Sequence, residues 1–195
     1  DAPHSAIASA AANIGPQPDQ LDRLFDGAAR AQAAKARTDQ EIAHGFGGAI
    51  APAGEKGVDH VMKALADERP IVQSTAHGAL FYLGPKASPS VPLVIEKLNA
   101  GDPLAPHVLG AIGPQAKEAV PHLIRRMEVD PWRQPASIRS ISHSSAAGEA
   151  LAGIGAPALP EVLEGLKREN PRVKAGCLVA LEKMPPEIMA PSAAI

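Results

Sequence analysis

The apolar positions of this chain fall into a repeated quartet. Val91, Val94, Ile95 and Leu98 recur as Val58, Val61, Met62 and Leu65, as Val120, Leu123, Ile124 and Met127, and as Leu159, Val162, Leu163 and Leu166. Spacing of i, i+3, i+4, i+7 places all four side chains on one stripe of an α-helix. A weaker copy, Leu21, Leu24, Phe25 and Ala28, precedes these, and Ile188 begins a truncated one. The first members are separated by 37, 33, 29, 39 and 29 residues. One helix written repeatedly at such intervals is the signature of a solenoid of helix pairs.

Between the quartets lies the second helix of each pair. Ile50, Leu83 and Ile112 each stand eight residues before the next quartet and two before a proline, in Ile50-Ala-Pro52, Leu83-Gly-Pro85 and Ile112-Gly-Pro114. Ile14-Gly-Pro16 repeats the turn and Ile154-Gly-Ala-Pro157 lengthens it by one residue. Glycine ends a helix in a left-handed conformation and a following proline cannot continue it, so each site predicts a stop. Pro92, Pro121 and Pro160 stand one residue into their quartets, at a first helical turn where a missing N–H costs nothing. The 20 prolines therefore punctuate helices. Counting back three, four and seven residues from each anchor gives Leu80, Ala79 and Ala76; Leu109, Val108 and Ala105; Leu151, Ala150 and Ala147; and, from Met184, Leu181, Ala180 and Cys177. These rows predict the inner faces, with small residues permitting close helix approach.

Ala79-Leu80-Phe81-Tyr82-Leu83-Gly84-Pro85 running into Val91-Pro92-Leu93-Val94-Ile95, Leu109-Gly110-Ala111-Ile112-Gly113-Pro114 running into Ala119-Val120-Pro121, and Gly148-Glu149-Ala150-Leu151-Ala152-Gly153-Ile154-Gly155 resemble the HEAT-like repeat family in its short, phycobilisome-lyase-type form. The resemblance runs from about Ala6 to Met184. It implies an all-α, right-handed α-solenoid of about five to six HEAT-like helix pairs, a single repeat domain over 1–195 with incomplete terminal repeats. Scaffolds, lyases, hydroxylases and glycosylases share this fold, so it does not name an activity. The family's Asp-x-x-Val-Arg start of the second helix survives best as Asn170-Pro-Arg-Val173, and Gly101-Asp-Pro-Leu-Ala-Pro106 makes one second helix short.

A formal net charge of −2 and a pI near 6.4 supply no electrostatic footprint for nucleic acid. No apolar run approaches the roughly 18 residues of a membrane span. The start Asp1-Ala-Pro-His4, without Met, fits a mature periplasmic or otherwise exported protein, with a cytoplasmic origin as the other reading. The single Cys177 excludes an internal disulfide and stands in a core row. The longest interval holds an insertion at about 128–143 with the only tryptophan, Trp132, and insertions in solenoids are frequent recognition features.

Candidate chemistry is sparse. His44 and His77 occupy equivalent positions, six before Ile50 and Leu83, which predicts a row about 10 Å apart, too wide to share a metal. No Cys pair or His-Glu-x-x-His is present, and the repeated His-Glu pairs of the family's di-iron hydroxylases are missing. Ser140, Ser142, Ser144 and Ser145 around His143 read as helix caps and turn formers. His44-Gly-Phe-Gly-Gly48 lacks the Lys-Ser/Thr of a phosphate loop and reads as close helix packing. No enzyme, cofactor or metal is predicted.

The resemblance implies that second helices line the concave face. Positions two, six and ten before each anchor then form an exposed ridge, with Gln40 and His44 beside Gln73, His77 and Phe81. Only five residues are aromatic, and Phe81 and Tyr82 are neighbours. An exposed aromatic near histidine and glutamine is a hot-spot candidate. The expected function is a non-catalytic protein-interaction scaffold or accessory subunit of a larger assembly, its partner contacts carried by Gln40, His44, Gln73, His77, Phe81 and Trp132. The alternative is an accessory subunit of a chromophore-lyase-type or other cofactor-handling enzyme.

Overall fold

The structure is a computed structural model that describes residues 16–35, 38–128 and 138–189. The Asp1 start, Ile14 and Trp132 lie outside these residues. The described chain is all-α, and it divides into two compact units, Asp1–Ser90 and Val91–Ile195.

The first unit holds two helix pairs: α1 (Pro18–Ala33) with α2 (Asp39–Ile50), and α3 (Val58–Leu65) with α4 (Pro70–Leu83). The second unit holds three: α5 (Val91–Ala100) with α6 (Ala105–Ile112), α7 (Val120–Glu128) with α8 (Ile138–Ile154), and α9 (Leu159–Lys167) with α10 (Pro171–Lys183); a short α11 (Pro186–Met189) follows. Tight 3-10 segments, Ala51–Gly57, Gly84–Ser90, Gly113–Ala119 and Ala156–Ala158, join each second helix to the next first helix.

Four helix starts are fixed by side-chain hydrogen bonds. Thr38 and Glu41 form a reciprocal cap on α2: the Glu41 amide donates to Thr38 Oγ1 at 3.3 Å and the Thr38 amide to Glu41 Oε2 at 2.9 Å. Before α4, α6 and α10 the same short turn recurs. Asp67 Oδ1 accepts from the Arg69 amide at 2.8 Å, Asp102 Oδ1 from the Leu104 amide at 2.9 Å, and Asn170 Oδ1 from the Arg172 amide at 2.9 Å. Glycine ends three of the second helices. Gly84, Gly113 and Gly155 directly follow the anchors Leu83, Ile112 and Ile154 with φ of 56°, 76° and 75°, a region side chains rarely adopt.

The quartets become the inner stripes of the first helices. Leu21, Phe25 and Ala28 of α1, Val58, Val61 and Leu65 of α3, Val91, Val94 and Leu98 of α5, and Val120, Leu123, Ile124 and Met127 of α7 are all buried. Each large aliphatic so removed from water contributes about 1.5–3 kcal/mol before the entropy of ordering the chain is set against it. The stripe is narrower than the quartet in places. Met62 and Ile95 are only half-buried, and Leu163 of α9 is exposed, because that nine-residue helix turns Val162 and Gly165 inward.

Second helices stack backbone to backbone. In the first unit α2 lies along α4, and a Cβ on Gly47 would stand 2.8 Å from the Ala79 nitrogen, while one on Gly78 would stand 2.8 Å from the Ala43 carbonyl oxygen. In the second unit α8 lies between α6 and α10. A Cβ on Gly110 would stand 3.0 Å from the Ala150 Cα, and one on Gly148 would strike the Gly176 carbonyl. Glycine is required at these crossings because backbone cannot rotate aside for a methyl group.

Candidate interaction surface on the first unit

The exposed side of the α2–α4 stack carries the aromatic side chains of interest. Phe81 is 45% exposed and Tyr82 48%, unusual exposure for such large apolar groups. Their rings meet edge to face with centroids 5.7 Å apart. Across the stack, the Tyr82 hydroxyl and His44 Nδ1 are hydrogen-bonded at 3.0 Å, and the two rings stand edge to face at 6.1 Å. Tyr82 also covers Gly48, where an added Cβ would lie 3.8 Å from its ring. His44, Tyr82 and Phe81 thus form one partly fixed aromatic step built from both second helices. Fixing a side chain before contact lowers the entropy lost on association.

The residues expected to form the ridge separate in the structure. Gln40 and His44 are exposed on α2, and Phe81 is exposed on α4. Gln73 is half-buried, and its amide nitrogen donates to the Asp67 carbonyl at 2.6 Å, closing the turn that starts α4. His77 is buried at 4% exposure, with its Nδ1–H donating to the Gln73 carbonyl at 2.8 Å. It is a core residue and not part of the exposed ridge. The reason is angular: on α4 the accessible stripe runs through Ser74, Gly78, Phe81 and Tyr82. Phe81 belongs to both the stripe and the ridge counted back from Leu83, while Ser74, Gly78 and Tyr82 each lie one residue, about 100°, beyond a ridge position. The row of His44 beside His77 is therefore not formed, and His44 meets Tyr82 instead. Tyr82 is the member that counting from the anchor missed, and its adjacency to Phe81 was the available signal. Trp132 lies outside the described residues.

An ion network borders the start of α4. Arg69 donates Nε and Nη2 to the two carboxylate oxygens of Asp67, both at 2.8 Å, and Nη1 to Asp26 of α1 at 2.9 Å. The Arg69 hydrogen bonds hold the Asp67 carboxyl down to about 2, and the two carboxylates raise the guanidinium further above its ordinary range. In the second unit, Lys183 of α10 donates to Glu149 of α8 at 2.7 Å and lowers that carboxyl. Burial pushes the Cys177 thiol up, which keeps it protonated.

Among the described residues, no three His, Cys, Asp or Glu side chains gather where they would hold a metal ion. No described helix is long and apolar enough to cross a membrane. Compared with family models, curated proteins and solved structures, the chain has no match.

Proposed function

We propose that the chain is a right-handed HEAT-like solenoid acting as a non-catalytic interaction scaffold within a larger assembly, with the α2–α4 face as a docking surface. The observation that carries this reading is the exposed step of His44, Tyr82 and Phe81. A chain with so few aromatics places two of them half in water, side by side, and fixes one by a hydrogen bond from the neighbouring helix. Such aromatic groups are enriched among residues that dominate protein association. Gln40, exposed near the start of α2, supplies an adaptable polar contact at the margin.

The test is to isolate the native protein with the components that co-purify, then replace Phe81 and Tyr82 together by Ala. Both side chains are about half exposed, so the double variant is expected to keep its helicity with a modest fall in unfolding midpoint, and a loss of the co-purifying component from the folded variant reports on the surface. Retention of that component by the folded double variant overturns the assignment.

A further inference from the structure

The turn after α2 differs from those after α4, α6 and α8. Where the later turns have glycine directly after the anchor, Ala51 follows Ile50, and it stays right-handed at φ −52°. The chain runs on as a 3-10 turn and reverses only at Gly54, φ 62° and ψ −152°. Beside this delayed reversal and the start of α1 lies a cavity of about 510 Å³, within the range of small-molecule sites. Pro52 and Ala53 give it an accessible apolar side. Two lysines reach it from successive turns, Lys56 from the Ala51–Gly57 segment and Lys86 from the Gly84–Ser90 segment. Among the described residues neither forms an ion pair, and among those that line the cavity Glu55 alone is a carboxylate.

We propose that this cavity binds a small amphipathic anion. A carboxylate or phosphate head sits between the Lys56 and Lys86 ammonium groups, and a short apolar body lies against Pro52 and Ala53. The lining matches both halves: apolar walls favour removal of hydrocarbon from water, and two cations against one carboxylate select a negative head. Ammonium groups act as point charges, so carboxylate and phosphate heads share the same requirement. The site is lined by residues of the interhelical turns and the start of α1, includes none of His44, Phe81 or Tyr82, and does not depend on the scaffold reading.

The test uses the full chain, labelled with ¹⁵N, titrated separately with octanoate, octyl phosphate, octanol and octylammonium. Octanoate or octyl phosphate is expected to give saturable shifts in the amides of residues 53–57 and 86, with a dissociation constant of about 1 mM or tighter. The stronger of the two identifies the head group. Lys56→Gln with Lys86→Gln is expected to weaken that binding at least tenfold while leaving helicity intact, since both side chains are exposed. A second variant, Ala53→Phe, fills the apolar end and is expected to abolish binding without altering the charges. Octanol or octylammonium binding as tightly as the anions, unchanged binding in the double glutamine variant, or no saturable shift with either anion overturns the proposal.

Discussion

The two units solve one packing problem and then diverge at their surfaces. Both bring second helices into backbone contact through glycine, Gly47 and Gly78 in the first unit and Gly110, Gly148 and Gly153 in the second. The first unit adds aromatics: Phe25 fills the core of α1, and a Cβ on Gly27 would stand 2.9 Å from the Phe46 ring. Phe81 and Tyr82 are displayed. The described part of the second unit contains no phenylalanine, tyrosine or tryptophan, and its core is built from aliphatic residues, Met127, Met184 and Cys177. Its exposed large apolar groups, Leu104, Leu163, Leu178 and Met189, are all non-aromatic. The same stack therefore carries a built aromatic surface in one unit and plain solvated faces in the other. The backbone device is structural, and the aromatics on it are a separate feature calling for a functional account.

Substitutions can break or sharpen this comparison. The largest effect is expected at the anchors. Leu83→Ala in the first unit and Ile112→Ala in the second should each cost about 2–5 kcal/mol, read from denaturant unfolding. Each should reduce amide-exchange protection first in its own unit. Glu164→Ala, which removes an exposed partner of Lys167, should stay within about 0.5 kcal/mol. Equal shifts from the anchor and Glu164 variants would refute the assignment of core and face.

Next come the glycines, where two effects compete. Alanine gains about 1 kcal/mol of helix propensity over glycine in a helix interior, but at Gly148 the methyl group meets the Gly176 backbone and Val179. Overpacking of that kind costs about 1–3 kcal/mol, and more where backbone must move. Gly148→Ala should therefore lower the unfolding midpoint. Gly45→Ala should raise it by about 0.5–1 kcal/mol equivalent, because no atom lies within 4 Å of its added Cβ. The opposite signs of these two changes are the sharpest check of the stacking geometry.

The smallest effect concerns pH. The Asp67 carboxyl is held at about 2, below its ordinary value of 3.8, mainly by Arg69. A depressed carboxyl contributes stability that is fully present above the unfolded value and is lost as pH falls through the folded one. Asp67→Asn should therefore lower the unfolding midpoint slightly at pH 7, and the difference from the unsubstituted protein should shrink between pH 4 and pH 2.

Helix positions and inner faces were legible in the sequence because the i, i+3, i+4, i+7 quartets and the glycine–proline stops encode them locally. The core rows ending at Leu83, Ile112 and Ile154 are buried throughout. What escaped depends on how helices meet. His77 was counted onto the exposed ridge, but an error of one residue turns a side chain by about 100° and carries it into the core. Ile50-Ala-Pro52 resembles the other turns in composition, yet Ala51 stays right-handed where the others have a left-handed glycine, and the reversal falls at Gly54. Gly47 and Gly45 look alike in sequence, and only the position of α4 distinguishes a crossing from an open face. The Asp67, Asp102 and Asn170 turns were readable as Asx signals two residues before an amide needing a partner.

The central claim is that the α2–α4 face of the first unit docks a protein partner. Hydrogen–deuterium exchange of the chain with and without its co-purifying component tests it most directly. Slower exchange confined to Asp39–Ile50 and Pro70–Leu83, with Val58–Leu65 and Leu159–Lys167 unchanged, is the predicted result. Protection restricted to the second unit, or to the segment around Trp132, would contradict it.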